Sequence, residues 1–450
     1  MGVTNPAPLA AIILAAGQGT RMKSSLHKVL HPIAHKPMVL HLLDSLAALA
    51  PERSVIVVGK AREQVEAAVA GRNIAVAVQS PQLGTGHAVQ QAEAALAGFN
   101  GTILVLYGDA PLVSTATMQR LAAALDDGTA AAVLAFRPEA PGAYGRVITD
   151  GDRVLKMVEF KDASLEERAV PLCNSGLLAV RSADLWPLLA RVTNDNAAGE
   201  YYLPDIITHL IADGRTARVI ETAADEVAGV NSRSELAALE AQWQHARRAQ
   251  AMADGVTLTD PASVFFAHDT EVAADVSIEP NVVFGPGVRI ASGARIRAHS
   301  HIEGADIGEN CEIGPFARLR PGTVLAAKAK IGNFVETKNA AFGPGAKANH
   351  LSYIGDANVG AAANIGAGTI TCNYDGFFKY RTSIGAGAFI GSNSALVAPV
   401  SIGDGAIVGA GSTITADVPA DALALVRPAQ SHKPGWAARF RAAMQAKKAR

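Results

Sequence analysis

From Val272 to Ile414 an apolar residue returns at intervals of six positions, first as Val272, Ile278, Phe284, Ile290, Ile296 and Ile302, then as Ile307, Ile313, Leu319, Leu325 and Ile331. The pattern resumes as Ile354, Val359 and Ile365, and again as Ile384, Ile390, Leu396, Ile402, Val408 and Ile414, often with glycine directly after. Six extended residues at roughly 3.3 Å each make one side of a triangular coil, so about eighteen close a turn with the aliphatics inside and small residues at the corners. Stacking such coils in parallel gives a solenoid, a parallel β-helix. Five-residue steps from Ile302 to Ile307 and from Ile354 to Val359, and the gap between Thr371 and Ile384, break the period and mark places where loops leave the prism. A solenoid exposes strand edges and flat faces, so association with further copies is physically sensible.

The first half follows another rule. From Pro8 to about Asn231, β-rich runs (Ala10–Ala16, Ser54–Gly59, Ile74–Gln79, Thr102–Tyr107 and Ala130–Phe136) alternate with helical spacing over Pro37–Ala50 and Gly86–Leu96. Alternation of this kind predicts a doubly wound α/β domain with a mostly parallel sheet, whose ligands bind at the carboxyl ends of the strands. Ser232 to Ala253 is rich in Ala, Leu, Glu and Arg, lacks Gly and Pro, and opens with a Ser232/Glu235 capping-box pattern, which predicts a connecting helix. The expected domains are therefore residues 1–231, a linker helix over 232–254, and the repeat domain over 255–450.

A chain of 450 residues exceeds what one core usually organises. Forty Lys and Arg against forty-one Asp and Glu leave a formal charge of -1 and no basic footprint for nucleic acid, which favours small-molecule substrates. Cys173, Cys311 and Cys372 are scattered and odd in number, so neither a disulfide framework nor a zinc site is expected, and a reducing cytoplasm fits. The apolar run Ala7–Ala16 is too short to span a bilayer and leads into a Gly-rich turn, so it reads as a buried strand and no membrane association is expected.

Behind that first strand stands Leu14-Ala15-Ala16-Gly17-Gln18-Gly19-Thr20-Arg21-Met22, with Lys28 soon after. Glycines let backbone amides approach phosphate oxygens, and Arg21 with Lys28 offers charge to a triphosphate or a departing pyrophosphate. The third glycine of the dinucleotide fingerprint is missing. The string instead resembles the sugar-nucleotide pyrophosphorylase signature LxxGxGxRM followed by lysine. Gln79 with Gln82-Leu83-Gly84-Thr85-Gly86-His87-Ala88, and Tyr107-Gly108-Asp109 at a strand end, are similar to the uridylyltransferase family. Asp109 stands where a carboxylate can hold Mg²⁺ against nucleotide phosphates, or where an aspartate simply caps the turn before Pro111. Tyr144-Gly145-Arg146, Val158-Glu159-Phe160-Lys161-Asp162, Cys173-Asn174-Ser175-Gly176 and Gly229-Val230-Asn231 extend the resemblance. It implies a UTP site at Leu14, Ala15, Ala16, Gly17, Lys28, Gln79, Gly84, Thr85, Tyr107, Gly108 and Asp109. It also implies sugar contacts from Gly145, Glu159 and Asn174, and a metal held by Asp109 and Asn231.

Within the repeat, Gly314-Pro315-Phe316-Ala317-Arg318-Leu319-Arg320-Pro321-Gly322, Gly332-Asn333-Phe334-Val335-Glu336-Thr337-Lys338 and Asn349-His350-Leu351-Ser352-Tyr353-Ile354-Gly355-Asp356 interrupt the plain pattern. So does Asn364-Ile365-Gly366-Ala367-Gly368-Thr369-Ile370-Thr371-Cys372-Asn373-Tyr374-Asp375-Gly376. With these segments the whole chain resembles the bifunctional UDP-N-acetylglucosamine pyrophosphorylase/glucosamine-1-phosphate N-acetyltransferase family. The resemblance implies a Rossmann-like nucleotidyltransferase domain followed by a left-handed parallel β-helix, assembled as a homotrimer with acetyl-transfer sites between subunits. Arg320, Lys338, Tyr353, Asn364 and Lys379 would surround glucosamine 1-phosphate. Ala367, Asn373, Tyr374, Ser392, Ala410 and Arg427 would line acetyl-CoA, with Asn373 and Tyr374 at the acetyl end. The product, UDP-N-acetylglucosamine, would feed peptidoglycan and lipopolysaccharide synthesis.

Acetyl transfer needs a base, because a protonated amine cannot attack a thioester, and an imidazole accepts a proton near neutral pH. His350 is the residue selected, since it lies among polar and basic residues where His299 and His301 lie in plain repeat. The chain departs from the family pattern at His27, where proline is usual before Lys28, at Ser175, where threonine is frequent, and in first coils that look short. None of these removes a proposed chemical group. Two other readings stay open on sequence: a nucleotidyltransferase for another hexose 1-phosphate with a purely structural solenoid, and a CoA-binding assembly protein with an inactive first domain. The basic, Ala-rich stretch Gly435–Arg450 reads as a helical or frayed tail without assigned chemistry.

Overall fold

Short runs of Ala, Val, Ile and Leu that cannot make an amphipathic helix pair edge to edge as strands in the N-terminal half. The computed structural model describes residues 7–126 and 128–450, so residues 1–6 and 127 of the expected first domain lie outside it. Nine strands form one sheet: β1 (Leu9–Ala15), β2 (Arg53–Val58), β3 (Ala75–Val78), β4 (Thr102–Tyr107), β5 (Thr129–Phe136), β6 (Arg146–Asp150), β7 (Arg153–Val158), β8 (Cys173–Arg181) and β9 (Thr216–Thr222), in the order β3-β2-β1-β4-β8-β5-β9-β7-β6. β1 pairs in parallel with β2 and β4, but β8 runs antiparallel to both β4 and β5. The sheet is thus mixed rather than mostly parallel, because β8 follows a short helix and an antiparallel hairpin that sequence alternation alone did not reveal.

Alternate residues of β1 face opposite sides of the sheet. Ala10, Ile12 and Leu14 join one core with Val55, Val105 and Val89, while Ala11, Ile13 and Ala15 join the other with Val39, Leu42 and Met118. Each fully buried aliphatic contributes about 1.5–3 kcal/mol, so β1 anchors both layers. The chain leaves β1 toward β2 and β3 and returns to β4 on the other side. That reversal opens a crevice at the carboxyl ends of β1 and β4, where loops can meet a ligand. The helix expected over Pro37–Ala50 spans Met38–Ala47 with Pro37 at its N-cap, and the one expected over Gly86–Leu96 divides into Thr85–Gln90 and a 3-10 turn at Ala94–Leu96. The connecting helix covers Arg233–Ala253, and the two compact units of the chain divide within it after His245.

In the second unit the hexapeptide aliphatics stack as expected. Ile278, Ile296, Ile313, Ile331, Ala348, Ile365, Ile390 and Val408 follow one another up one face, each paired in parallel with the next. That face carries ten strands among the described residues, from Thr257–Leu258 to Leu423–Ala424, so the solenoid starts before the visible repeat and its first coils are complete rather than short. A second face runs through Phe284, Ile302, Leu319, Thr337, Ile354, Thr371, Leu396 and Ile414. Thr337 and Thr371 replace aliphatics there, and both are fully buried. Their hydroxyls are satisfied, by Thr323 Oγ1 at 2.9 Å and by the Gly355 amide at 2.8 Å, so the core accepts two polar groups. The gap after Thr371 leaves the prism as a loop closed by a bridge between Tyr374 and Lys379.

One buried feature of the first unit sets a stability limit. The short 3-10 helix Lys28–Leu30 is bracketed by His27 and His31, both buried. Neither ring nitrogen of His27, nor Nε2 of His31, has a hydrogen-bond partner, while His31 Nδ1 lies 3.2 Å from Arg233. Burial, then the neighbouring Lys28 and His31, holds the His27 imidazole below its usual range, and burial with the Arg233 charge does the same for His31. Folding therefore excludes protons that the unfolded chain takes up once pH falls below about 6.5, so stability is full above that pH and declines beneath it. In calorimetry from about pH 7.5 to pH 5.5, the unfolding transition of the first unit should lose on the order of 1 kcal/mol. His27→Phe should reduce that slope, and an unchanged slope would contradict the assignment.

Candidate active sites

The strand ends of the first unit gather a polar cluster. Leu14, Ala15 and Ala16 are buried as β1 ends, and Gly17 is exposed at the lip of the crevice. The Gly108 amide bonds Leu14 O at 2.9 Å, tying the end of β4 to β1 and placing Asp109 beside it. Gly19 has φ +65°, and a Cβ there would lie 2.6 Å from Lys28 Cβ; glycine is what lets the Lys28 stem cross the loop. Lys28 Nζ then donates to Asp109 Oδ2 and, at 3.1 Å, to Asn231 Oδ1. Only 11% of the Lys28 side chain and 18% of that of Asp109 is exposed, so water screens this pair little. Asn231 is fixed from behind: the Val230 amide bonds Asp109 O at 3.0 Å, and the Asn231 amide bonds Glu235 Oε2 at 2.6 Å. The Glu235 amide meets Ser232 Oγ at 3.3 Å, so only half of the capping-box pattern forms, and the Glu235 carboxylate serves Asn231 instead. Arg21 stands exposed in the turn Thr20–Met22 and is not brought into contact with this cluster.

Beside it, Gln79 Nε2 donates to Gly84 O at 2.9 Å, and Thr85 Oγ1 accepts from the Leu203 amide at 3.0 Å. Gln82, which sequence did not single out for a role, binds the carbonyl of Ala16. Tyr107 is half-buried with its phenol against Thr85, and desolvation of that phenol, reinforced by Asp109 and Glu159, pushes its ionisation far up, so it stays neutral. β8 slips register against β5 between Asn174 and Leu178, a bulge that turns Asn174 toward Gly145, whose carbonyl its amide bonds at 2.9 Å. Asn174 Oδ1 accepts from the Gly176 amide at 2.9 Å. A Cβ on Gly145 would lie 3.4 Å from the Glu159 carboxylate, so these groups line one wall. Burial, then Asp205, Asp162 and Glu200, raises the Glu159 carboxyl above its usual range. Among the described residues no three His, Cys, Asp or Glu converge as a metal cage. The oxygens of Asp109 and Asn231 nevertheless converge on one cationic atom, Lys28 Nζ, and two hard oxygen donors suit an ion that completes its shell with water and phosphate.

On the second unit the parallel register assembles columns. Arg318 pairs with Glu336 and Leu319 with Thr337, so Arg320 stacks on Lys338, and Lys338 pairs with Gly355. Arg320 Nη1 bonds Glu336 Oε1 at 2.8 Å. The Lys379 amine, brought back by the loop, touches Lys338; that contact, then the Lys379 and Arg320 charges, lowers the Lys338 ammonium below its ordinary range. Asp356 lies beside them. Burial alone would raise it, but hydrogen bonds from Asn339 and Asn373 and the charges of Lys379 and Lys338 carry its carboxyl lower. Three cations against the two carboxylates of Glu336 and Asp356 leave this surface net positive, an arrangement that can attract an anion. Tyr353 folds over Gly355, where a Cβ would meet its hydroxyl at 2.4 Å, and Asn364 begins the next strand of the first face.

His350 lies at the corner that ends the first face, opposite Asn333, and its Nδ1 is 2.7 Å from Asn333 Oδ1. With the amide oxygen accepting, Nδ1 carries the proton and Nε2 offers a lone pair. The two residues border a groove of about 340 Å³ shared with Arg297, Glu312 and Lys330. Asn333 was not foreseen as a partner, because only the coil register places it against His350. Ala367, Ser392 and Ala410 occupy the corresponding corner in later coils: the Asn393 amide bonds Ala367 O at 2.7 Å, the Gly411 amide bonds Ser392 O at 2.8 Å, and Arg427 Nη1 bonds Ala410 O at 2.6 Å. Asn373 binds Asp356, and Tyr374 is exposed on the loop. One corner of the prism therefore holds His350 and four of the six expected acetyl-CoA residues, Ala367, Ser392, Ala410 and Arg427, while the cations lie further along the adjoining face.

Comparison with known proteins agrees with this division. Residues 11–209 match the MobA-like NTP transferase domain, and residues 381–416 match the bacterial transferase hexapeptide of six repeats. The bifunctional protein GlmU of Sphingopyxis alaskensis is 65% identical over 98% of both chains. That of Rhizorhabdus wittichii is 64% identical over the same shares, and that of Zymomonas mobilis 57% identical over 96% of this chain and 98% of its own. With a nucleotidyltransferase module and a left-handed hexapeptide β-helix in sequence, and with such identity along nearly its whole length, the chain belongs to the family of bifunctional GlmU proteins.

Proposed function

We propose that the two units act successively on one sugar phosphate. The second acetylates glucosamine 1-phosphate from acetyl-CoA, and the first couples the resulting N-acetylglucosamine 1-phosphate to UTP with release of pyrophosphate. The observation that carries this reading is the oriented His350 on the corner shared with Ala367, Ser392 and Ala410, because a merely structural solenoid has no use for an imidazole with a free Nε2.

In acetyl transfer, Arg320, Lys338 and Lys379 hold the sugar phosphate, and Tyr353 and Asn364 contact the sugar. The amine nitrogen attacks the thioester carbonyl, His350 Nε2 takes its proton, and the CoA thiolate leaves. Ala367, Asn373, Tyr374, Ser392, Ala410 and Arg427 seat the CoA. In uridylyl transfer, the residues from Leu14 to Gly17, with Gln79, Gly84, Thr85, Tyr107 and Gly108, seat UTP, while Gly145, Glu159 and Asn174 orient the acetylated sugar. Its phosphate oxygen attacks the α-phosphorus, and Lys28 and Arg21 stabilise the charge that passes to pyrophosphate. Mg²⁺ at Asp109 and Asn231 would supply additional neutralisation of the triphosphate.

The chain has the unpaired cysteines of a cytoplasmic enzyme, and no helix among the described residues is long and apolar enough to cross a membrane. A homotrimer with sites between subunits fits the open placement of His350 and the cations. It also fits the exposed ladder Phe316, Phe334 and Leu351 on the same edge, whose left-handed backbones present apolar side chains outward. Sedimentation should give a trimer, and a fully active monomer would contradict this.

Two variants test the division of labour. Asp109→Ala should cut UTP-dependent coupling by at least about 10²-fold and leave acetyl transfer intact; near-normal coupling would place the metal elsewhere. His350→Ala should lower acetyl transfer by roughly 10²–10⁴-fold with little change in acetyl-CoA affinity, and leave coupling of supplied N-acetylglucosamine 1-phosphate untouched. Acetyl transfer near the wild-type rate would make His350 structural, and loss of both activities would indicate misfolding.

A further inference from the structure

We propose that Lys28 serves as a built-in cation that fills the metal position of the first unit, and that a divalent ion enters by exchanging with it. This rests on the reading of Asp109 and Asn231 as the metal-binding pair.

The Lys28 ammonium bonds the Asp109 carboxylate and Asn231 Oδ1, the two oxygens that a metal would need. The backbones that carry both oxygens are held independently of Lys28, that of Asn231 through its amide to the Glu235 carboxylate and that of Asp109 through its carbonyl to the Val230 amide, so the cation joins two side chains whose roots are already fixed. The pair is largely withdrawn from water, and a carboxylate left there without a cation would be costly. A divalent ion arriving alone must therefore take both oxygens from an ammonium that already satisfies them, and expel that ammonium into the same small space. The stem of Lys28 is packed against Gly19, which fixes its root, but the terminal carbons can turn.

A triphosphate changes that balance. It presents new anionic oxygens at the lip formed by Gly17, and Lys28 can turn to them while releasing Asp109 and Asn231. Ion and nucleotide then assist one another through one lysine, and by linkage the assistance is equal in both directions. Without nucleotide, apparent metal affinity is reduced by the fraction of molecules in which Lys28 holds the oxygens.

The test uses the full-length chain without nucleotide and Mn²⁺ as the probe, with free Mn²⁺ read by electron paramagnetic resonance. Lys28→Met should bind the ion about tenfold more tightly than the wild type, Lys28→Arg should remain weak because it keeps the cation, and Asp109→Ala added to Lys28→Met should abolish the gain. A second reading needs no variant: saturating Mn²⁺ should speed acylation of the Lys28 amine in the wild type, followed by mass spectrometry of the labelled peptide. Equal Mn²⁺ binding by wild type and Lys28→Met, with unchanged Lys28 labelling, would overturn the exchange while leaving the metal pair standing. If Asp109→Ala has no effect on any Mn²⁺ binding, the metal pair and the exchange fall together.

Discussion

Parallel strands pair only after the chain has crossed back to its starting edge, and that constraint decides where both sites are. In the first unit the return is made by helices, which bury both faces of β1 and leave the strand ends as the open polar surface. The Leu14–Gly17 lip and Asp109 lie there because two adjacent strands, β1 and β4, end together. In the second unit the return is the coil itself. Residues 17 or 18 apart in sequence become neighbours, or 25 apart where the loop after Thr371 intervenes, and single side chains become columns: Arg320 with Lys338, Asn333 with His350, Ala367 with Ser392 and Ala410.

Such columns bring like charges together at a cost that folding alone does not repay. Arg320, Lys338 and Lys379 crowd one face with Glu336 and Asp356 as their compensation. The core beneath is also compromised, since Thr337 and Thr371 take positions that the repeat gives to aliphatics, and each needs its own hydrogen bond. Polar replacements behind the cations and strained left-handed corners at Phe316 and Phe334 fall in the same coils. Concessions concentrated in one region indicate a surface shaped for a ligand and for neighbouring subunits rather than for the stability of the isolated chain.

The solenoid was legible because its period is local: each buried aliphatic is six residues from the next, and the stacking followed without further information. Lys28, Asp109 and Asn231 were legible as a motif, but their meeting at one nitrogen was not, since 203 residues separate Lys28 from Asn231. The partners that orient the site were the least visible. Glu235 looked like half of a capping box and instead fixes Asn231; Asn333 and Glu336 stood in a motif segment without a role of their own, and the coil register sets them against His350 and Arg320. Similarly, β8 hid behind an apparent alternation of strands and helices, because an antiparallel strand inserted between β4 and β5 has the same local composition as a parallel one.

One polypeptide carrying two different group transfers on the same sugar phosphate should complete both in one vessel, so the decisive measurement incubates the purified chain with glucosamine 1-phosphate, acetyl-CoA, UTP and Mg²⁺ and identifies every product by mass. UDP-N-acetylglucosamine should form, with free CoA and pyrophosphate in amounts that match it once the intermediate is exhausted. Acetylated sugar phosphate that is never coupled to UTP, or UTP turnover only with an unacetylated or different hexose phosphate, would contradict it.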